Sequence, residues 1–319
     1  MKPLKKALSL LLLCLILFGA SGCGQTPSAP ASPAGGAERP EGAELLENAR
    51  VSYLGPEGTY TEEAAKFFFQ SAAAYLPEST VDEAIADVAE GRADYAVIPQ
   101  ENTLGGAVTN YVDALIGQND IYVVGEVILP ISQTLMAIPG ATLAEIRTVC
   151  SHAQGIKQSE AWRAEHLPDA ATEEMGSTAA AASFVAQQQD KTIAAIAAPA
   201  AAELYGLNVL AENVQITDAN KTRFYVLSKT PLAGAAHKQA VFVADCRASR
   251  LDDIIVEMHN AGLELVTIHD RPEGSALGSY HYIIEVVESG GISAAQIEKL
   301  RSFEEVRFIG SFNSVEKGA

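Results

Sequence analysis

The chain has 319 residues, enough for two or three domains of ordinary size. Hydrophobic residues make up 48% and charged residues 19%, spread along the chain, which excludes disorder over most of it. Acidic residues outnumber basic ones, 40 against 22, and the formal charge of −18 excludes nucleic acid as a partner, because a phosphate backbone needs clustered Lys and Arg.

The N-terminus breaks the globular pattern. Lys2, Lys5 and Lys6 precede an apolar run at 8–18, and Gly19, Ala20, Ser21 and Gly22 lead to Cys23. This reads as an export signal over 1–22. The run is shorter than the roughly 20 residues that span a bilayer. Ala20-Ser21-Gly22-Cys23 resembles the bacterial lipoprotein cleavage box, which more often has Leu where Ala20 stands. Lipidation of Cys23 is therefore expected, and with it an exported protein anchored to the membrane by lipid. Residues 23–48 are rich in Pro, Ser, Ala and Gly and read as a flexible tether. Cys14 would leave with the signal. Cys150 and Cys246 make no disulfide framework and end apolar runs, so they read as buried, inert thiols. Neither a metal site nor a cofactor is expected.

From residue 49 an α/β pattern begins. A strand at 51–54 is followed by the turn Gly55-Pro56-Glu57-Gly58 and a helix from Thr59 with Ala64, Ala65, Phe67 and Phe68 inward. A helix is expected at Val81–Ala89, stopped by Gly91, then a strand at 94–98 ending at Pro99. A helix at 107–116 leads into strands at 121–129 and 131–138, which carry the chain from one lobe to another, and to a strand at 147–150. Ser151 opens a helix through Trp162, and Ser177 the helix Thr178–Gln188; both serines stand where N-caps stand. A strand at 192–197, a helix at 199–205 with Pro199 in its first turn, and strands at 208–210 and 222–228 close this domain, 49–229. Small residues at 232–237 read as a linker. A second domain, 238–316, shows strand, helix, strand, strand, helix, strand: 238–245, 251–260, 263–269, 280–287, 293–300 and 304–309, the ferredoxin-like order.

Four polar segments stand at or beside strand ends, where α/β folds gather ligand-binding groups. They are Gly55-Pro56-Glu57-Gly58-Thr59, Glu101-Asn102-Thr103, Ser151-His152-Ala153-Gln154 with Gln158, and Thr222-Arg223-Phe224. Each alone is a weak signal; their order is a strong one. Leu54-Gly55-Pro56-Glu57-Gly58-Thr59-Tyr60-Thr61, Pro99-Gln100-Glu101-Asn102-Thr103, Ser151-His152-Ala153-Gln154 and Asn220-Lys221-Thr222-Arg223-Phe224 resemble the successive signatures of prephenate dehydratases. Ala153 replaces the family's usual Pro, and Gln100 its usual apolar residue.

The resemblance implies a two-lobed catalytic domain like the type II periplasmic binding proteins, followed by a ferredoxin-like ACT regulatory domain. It implies conversion of prephenate to phenylpyruvate with loss of water and carbon dioxide, on the route to phenylalanine, and assembly as a homodimer or larger homo-oligomer. Carbon dioxide loss supplies the electrons, so the site needs a hydrogen-bond or proton donor for the leaving hydroxyl. The resemblance gives that role to Thr222, with Arg223 beside it to pair with a substrate carboxylate or with an acidic neighbour. Asn102, Ser151 and Gln158 are implied substrate contacts, and Thr59, Phe224, Glu101, Ser177 and Thr178 complete the expected lining. In the regulatory domain the phenylalanine site falls on Ser249, Leu251, Asp270, Arg271 and Pro272. There Ala248-Ser249-Arg250-Leu251 stands in place of a Gly-Ala-Leu stretch and His269-Asp270 in place of Glu-Ser, so weakened or altered sensing of phenylalanine is expected. Two other functions fit the residues: a lipid-anchored solute-binding protein for an aromatic or anionic metabolite, and the same dehydration on arogenate.

Overall fold

The structure is a computed structural model that describes residues 48–232 and 236–318. The expected leader, Cys23, the tether up to residue 47 and part of the expected linker, 233–235, lie outside the described residues.

The first lobe contains β1 (Arg50–Leu54), α1 (Tyr60–Phe69), β2 (Ala74–Glu78), α2 (Val81–Ala89), β3 (Tyr95–Asn102), β4 (Gly106–Ala107), α3 (Thr109–Ile116) and β5 (Tyr122–Pro130). Helix α2 spans the expected Val81–Ala89: the Thr80 hydroxyl accepts from the Glu83 amide at 3.1 Å, and Gly91, at φ +77°, ends the turn after it. On α1 the buried face is Ala64, Ala65, Phe68 and Phe69, with Phe67 only half-buried. Strand β2 escapes a sequence reading because it has no alternating pattern and carries Pro77; it is an edge strand, where a proline removes no ladder bond. Pro99 does not end β3 as expected. The strand runs on to Asn102 through a bulge in which Arg223 pairs with Glu101 but Phe224 with Pro99, and the proline's missing N–H is tolerated there.

The chain then builds the second lobe: β6 (Thr134–Ala137), β7 (Thr148–Ser151), α4 (Ala153–Gln158), α5 (Glu160–His166), β8 (Ala171–Glu174), α6 (Thr178–Gln188), β9 (Ile193–Ala197), α7 (Pro199–Leu204) and β10 (Asn208–Ala211). These strands form a sheet in the order β10-β6-β9-β7-β8, packed on the alanine-rich face of α6. The single helix expected through Trp162 is two helices, with Ser159 between them donating its hydroxyl to the Gly155 carbonyl at 2.8 Å. Strand β11 (Lys221–Ser228) returns to the centre of the first sheet, antiparallel to both β3 and β5. Two crossings between two α/β lobes give the periplasmic-binding-protein-like architecture.

The C-terminal unit comprises β12 (Gln239–Arg247), α8 (Ala248–Asn260), β13 (Glu264–Pro272), β14 (Ser279–Val287), α9 (Ala294–Arg301) and β15 (Val306–Phe312), with sheet order β13-β14-β12-β15. This is the ferredoxin-like topology. Strand β12 is buried on both faces, which is why its sequence is a continuous apolar run. Ala240, Phe242 and Ala244 pack under α8 and α9, while Val241 and Val243 join Ile283, Ile309 and Phe312 in one core with Ile85, Tyr111, Leu115 and Tyr225 of the first lobe. The unit is therefore fused to that lobe and not merely linked to it. A last strand, β16 (Ser314–Glu316), falls inside the span expected for the C-terminal domain but adds to the first sheet, parallel to β5.

Candidate active site

A cleft of about 720 Å³ opens between the lobes. The first lobe contributes Gly55, Thr59, Tyr60, Asn102, Thr222 and Phe224, and the second His152, Gln154, Gln158, Ser177 and Thr178. Among the described residues no Lys or Arg lines it; Glu78 stands in its wall, its carboxyl held above the usual range by partial desolvation and by neighbouring Asp87. The N-termini of α1 and α6 enter from opposite lobes; the first turn of α1 carries Glu62 and Glu63, whereas that of α6 has no acidic residue and leaves its dipole uncompensated.

The floor is a network of neutral amides. Register places Asn102 opposite Thr222 across β3 and β11. The Asn102 Nδ2 donates to Thr222 Oγ1 at 2.9 Å and to Asn220 Oδ1 at 2.8 Å, while Asn102 Oδ1 accepts from Gln154 Nε2 at 2.9 Å and from the amides of Leu104 and Gly105. Asn220 Nδ2 and Gln133 Nε2 converge on Gln158 Oε1 at 3.1 and 3.2 Å. The network ties the two lobes together and occupies a lone pair of the Thr222 oxygen, leaving its hydrogen to point elsewhere. Such chains polarise one another, which makes that hydroxyl a better donor. A Cβ on Gly105 would lie 2.8 Å from the Gln154 amide nitrogen, so a side chain there would push Gln154 off Asn102.

Of the expected residues, Thr222, Asn102, Gln158, Thr59, Phe224, Ser177 and Thr178 come together in the cleft. Ser177 is also the N-cap of α6, its Oγ accepting from Ala180 at 2.9 Å. Ser151 is not a cap: its buried hydroxyl donates to the Ile196 carbonyl at 2.7 Å beneath Gly155, and His152 caps α4 instead. Gln133, Asn220 and Gln154 are absent from the expected contacts. Asn220 and Gln154 lie inside the signature segments, and Gln133 lies in the short polar stretch Ser132-Gln133-Thr134 between apolar segments.

Arg223 and Glu101 lie on the other side of the sheet, because alternate residues of a strand point to opposite faces. Arg223 Nη2 pairs with Glu126 at 2.5 Å and with Glu285 of the C-terminal unit, and its Nη1 with Glu101 at 3.3 Å. Glu126 and Glu285 have no solvent exposure. Burial, reinforced by Glu285 and opposed by Arg223, pushes the Glu126 carboxyl up to about 7. Burial works against the Arg223 charge, but Glu126 and Glu285 overcome it and hold the guanidinium above its ordinary value. Cys150 is fully buried, which lifts its thiol to about 11; Cys246 is only half-buried.

The expected effector residues gather at one end of the C-terminal sheet, where Cys246 and Pro272 both pair with Tyr280. Ser249, Asp270 and Pro272 are exposed and Leu251 half-buried. Arg250 turns away to Asp253 and Glu305 over the Phe303 ring, and Arg271 grips Asp113 of α3 with two bonds of 2.7 and 2.9 Å.

The family model described as Prephenate dehydratase matches residues 51–232, more than half of the chain. The chain belongs to the prephenate dehydratase family. A prephenate dehydratase of Amycolatopsis methanolica is 34% identical over 271 residues, covering 82% of this chain and 88% of that one. The crystal structure of an Arthrobacter aurescens prephenate dehydratase in complex with L-Phe matches with a TM-score of 0.75 and 29% identity over 83% of this chain and 90% of that one. GqqA, described as a quorum quenching acylase, matches with a TM-score of 0.74 and 26% identity over 83% and 98%. The match to the prephenate dehydratase family model ends before the ferredoxin-like unit, which nonetheless supplies Glu285 to the back of the signature strand.

Proposed function

We propose that the cleft converts prephenate to phenylpyruvate, a step in phenylalanine biosynthesis, and that Thr222 supplies the hydrogen bond that lets the ring hydroxyl depart. The observation that carries this reading is the Asn102–Thr222 bond at 2.9 Å, which orients a nearly buried hydroxyl inside a cleft of neutral donors. As the carboxylate leaves the ring as carbon dioxide, its C–C bond electrons complete the aromatic system, the C–O bond to the ring hydroxyl breaks, and the departing oxygen takes up a proton from solvent and leaves as water. A threonine hydroxyl is a weak acid, so Thr222 acts by a directed hydrogen bond to that oxygen. The N-terminus of α6 with Ser177 and Thr178, and Thr59 from the opposite lobe, suit the two substrate carboxylates. The Gln133 Oε1 atom, buried without a hydrogen-bond partner among the described residues, is an acceptor for a substrate hydroxyl. Ser151 supports this cleft from beneath, and Arg223 and Glu101 support it from behind. A covalent acylase mechanism would need a nucleophile paired with a base. Thr222 accepts from an amide and Ser151 donates to a carbonyl, so neither has one.

The C-terminal unit, 238–316, reads as an ACT regulatory domain with phenylalanine as its effector. The engagement of Arg271 by Asp113 supports weakened sensing. One assay tests both readings: the 24–319 protein is expected to form phenylpyruvate from prephenate faster than it forms phenylalanine from arogenate, with only weak inhibition of the prephenate reaction by phenylalanine. Binding of prephenate without turnover would favour a solute receptor, and strong inhibition would restore ordinary sensing.

The segment 1–22 reads as a signal peptide, 23–48 as a tether and Cys23 as the lipidated residue, placing a homodimer or larger assembly on the outer face of a membrane. The full chain is expected in the membrane fraction and Cys23→Ala in the soluble fraction, with sedimentation of the latter giving the assembly. Equal partitioning of the two would remove the anchor.

A further inference from the structure

We propose that Glu285, a residue of the C-terminal unit, is a positioning residue for the dehydration: it holds the back of β11 so that the front of the same strand presents Thr222 to the cleft. The proposal rests on the dehydratase reading of that cleft.

Glu285 lies on β14 with no solvent exposure. Both of its oxygens are taken by β11: Oε1 accepts from Arg223 Nη2, and Oε2 accepts from the Tyr225 hydroxyl at 2.6 Å. These residues are one and three positions after Thr222, and they bracket the irregular step between Arg223 and Phe224 where β11 meets the bulge in β3. Thr222 and Phe224, which alternate with them, face the cleft. Against β5 the register of β11 runs unbroken from Lys221 to Val226, so the slack lies on the β3 side, where a bulge leaves the pairing least specified and the two side-chain bonds help set how Thr222 meets Asn102.

The neighbours show why the loss of Glu285 should shift this strand and not unfold it. Arg223 keeps Glu126 at 2.5 Å and Glu101 at 3.3 Å, and the Tyr225 hydroxyl still accepts from Gln100 Nε2 at 3.3 Å. Replacement of Glu285 by Gln keeps the shape, removes one of two buried carboxylates competing for a single guanidinium, and leaves no unpaired cation. What is lost is the second acceptor, so the strand remains paired but is no longer gripped at both points.

The test compares kcat and KM of the full chain with Glu285→Gln, Tyr225→Phe and Asp113→Ala. The last variant breaks the ion pair to Arg271 at the same junction without touching β11. Glu285→Gln is expected to lower kcat about tenfold with KM within about twofold, because a small displacement of a reacting group costs rate more than binding. Tyr225→Phe should lower kcat about threefold in the same way, and Asp113→Ala should leave both constants within about twofold. An unchanged kcat in Glu285→Gln, or an equal fall in Asp113→Ala, would overturn the proposal in favour of simple docking. If Glu285→Gln fails to fold, the Tyr225→Phe result decides. Absence of turnover in the unmodified chain would remove the dehydratase reading and the proposal with it.

Discussion

Thr222→Ala lowers the rate of phenylpyruvate formation by about 10²–10³-fold, the usual effect of deleting one donor aimed at developing negative charge. The loss falls on kcat, with KM changed by about twofold or less, because the bond to the departing oxygen strengthens only as the C–O bond breaks. Thr222→Ser keeps the hydroxyl and the Asn102 donor and recovers to within about tenfold of the unmodified protein, the remainder reflecting a freer rotamer. The alanine variant folds normally. It leaves the Asn102 Nδ2 with Asn220 Oδ1 at 2.8 Å and the Lys221 carbonyl at 3.2 Å, so no buried donor is stranded. Equal kcat in the threonine and alanine proteins would remove Thr222 from the chemistry.

Gly310→Ala costs about 3 kcal/mol or more of stability. Gly310 sits on β15 at φ +146°, and a Cβ there would lie 2.1 Å from the Val123 carbonyl oxygen and 2.7 Å from the Val123 nitrogen. Both obstacles are backbone atoms of β5. That strand cannot retreat, being paired with β11 on one side and β16 on the other. The C-terminal sheet must lift instead, opening the core where Val241, Val243 and Phe312 meet Tyr111 and Tyr225. A melting temperature lower by roughly 6–12 °C is expected for a unit of this size. A calorimetric scan that superimposes on that of the unmodified protein would show that the close approach of β15 to β5 is not a constraint.

The fold was legible where residue type and period agreed. Val81–Ala89 between a threonine cap and Gly91, and Thr178–Gln188 after Ser177, are the expected helices. The ferredoxin-like order at the C-terminus was readable from alternation and helix stops. The bulge that carries β3 through Pro99 was not, because a proline reads as a strand end unless its partner strand is known. The fusion of the C-terminal sheet to the first lobe was hidden for a related reason: the apolar run of β12 announces burial on two faces without naming what covers them.

The site was legible as segments but not as sides. Thr222, Asn102 and Gln158 could be grouped because their segments recur in a known order. That Thr222 faces the substrate while Arg223 faces Glu285 follows only from the register of β11 in its sheet. Gln133 falls inside the strand expected at 131–138, although the polar stretch Ser132-Gln133-Thr134 between apolar segments is a usable signal for a cleft wall. Ser151 shows the opposite error: its place at a strand end looks like a cap, yet its hydroxyl is spent on the Ile196 carbonyl.

The central claim is that a cleft with no Lys or Arg among its described lining residues dehydrates and decarboxylates prephenate through an oriented threonine hydroxyl. It is tested most directly by measuring carbon dioxide and phenylpyruvate together from prephenate added to the 24–319 protein, with Thr222→Ala alongside and prephenate binding to each followed by calorimetry. The two products should appear one for one in the unmodified protein and fall together in the variant, while both proteins bind prephenate. Binding without either product in the unmodified protein, or product formation that Thr222→Ala leaves intact, would contradict it.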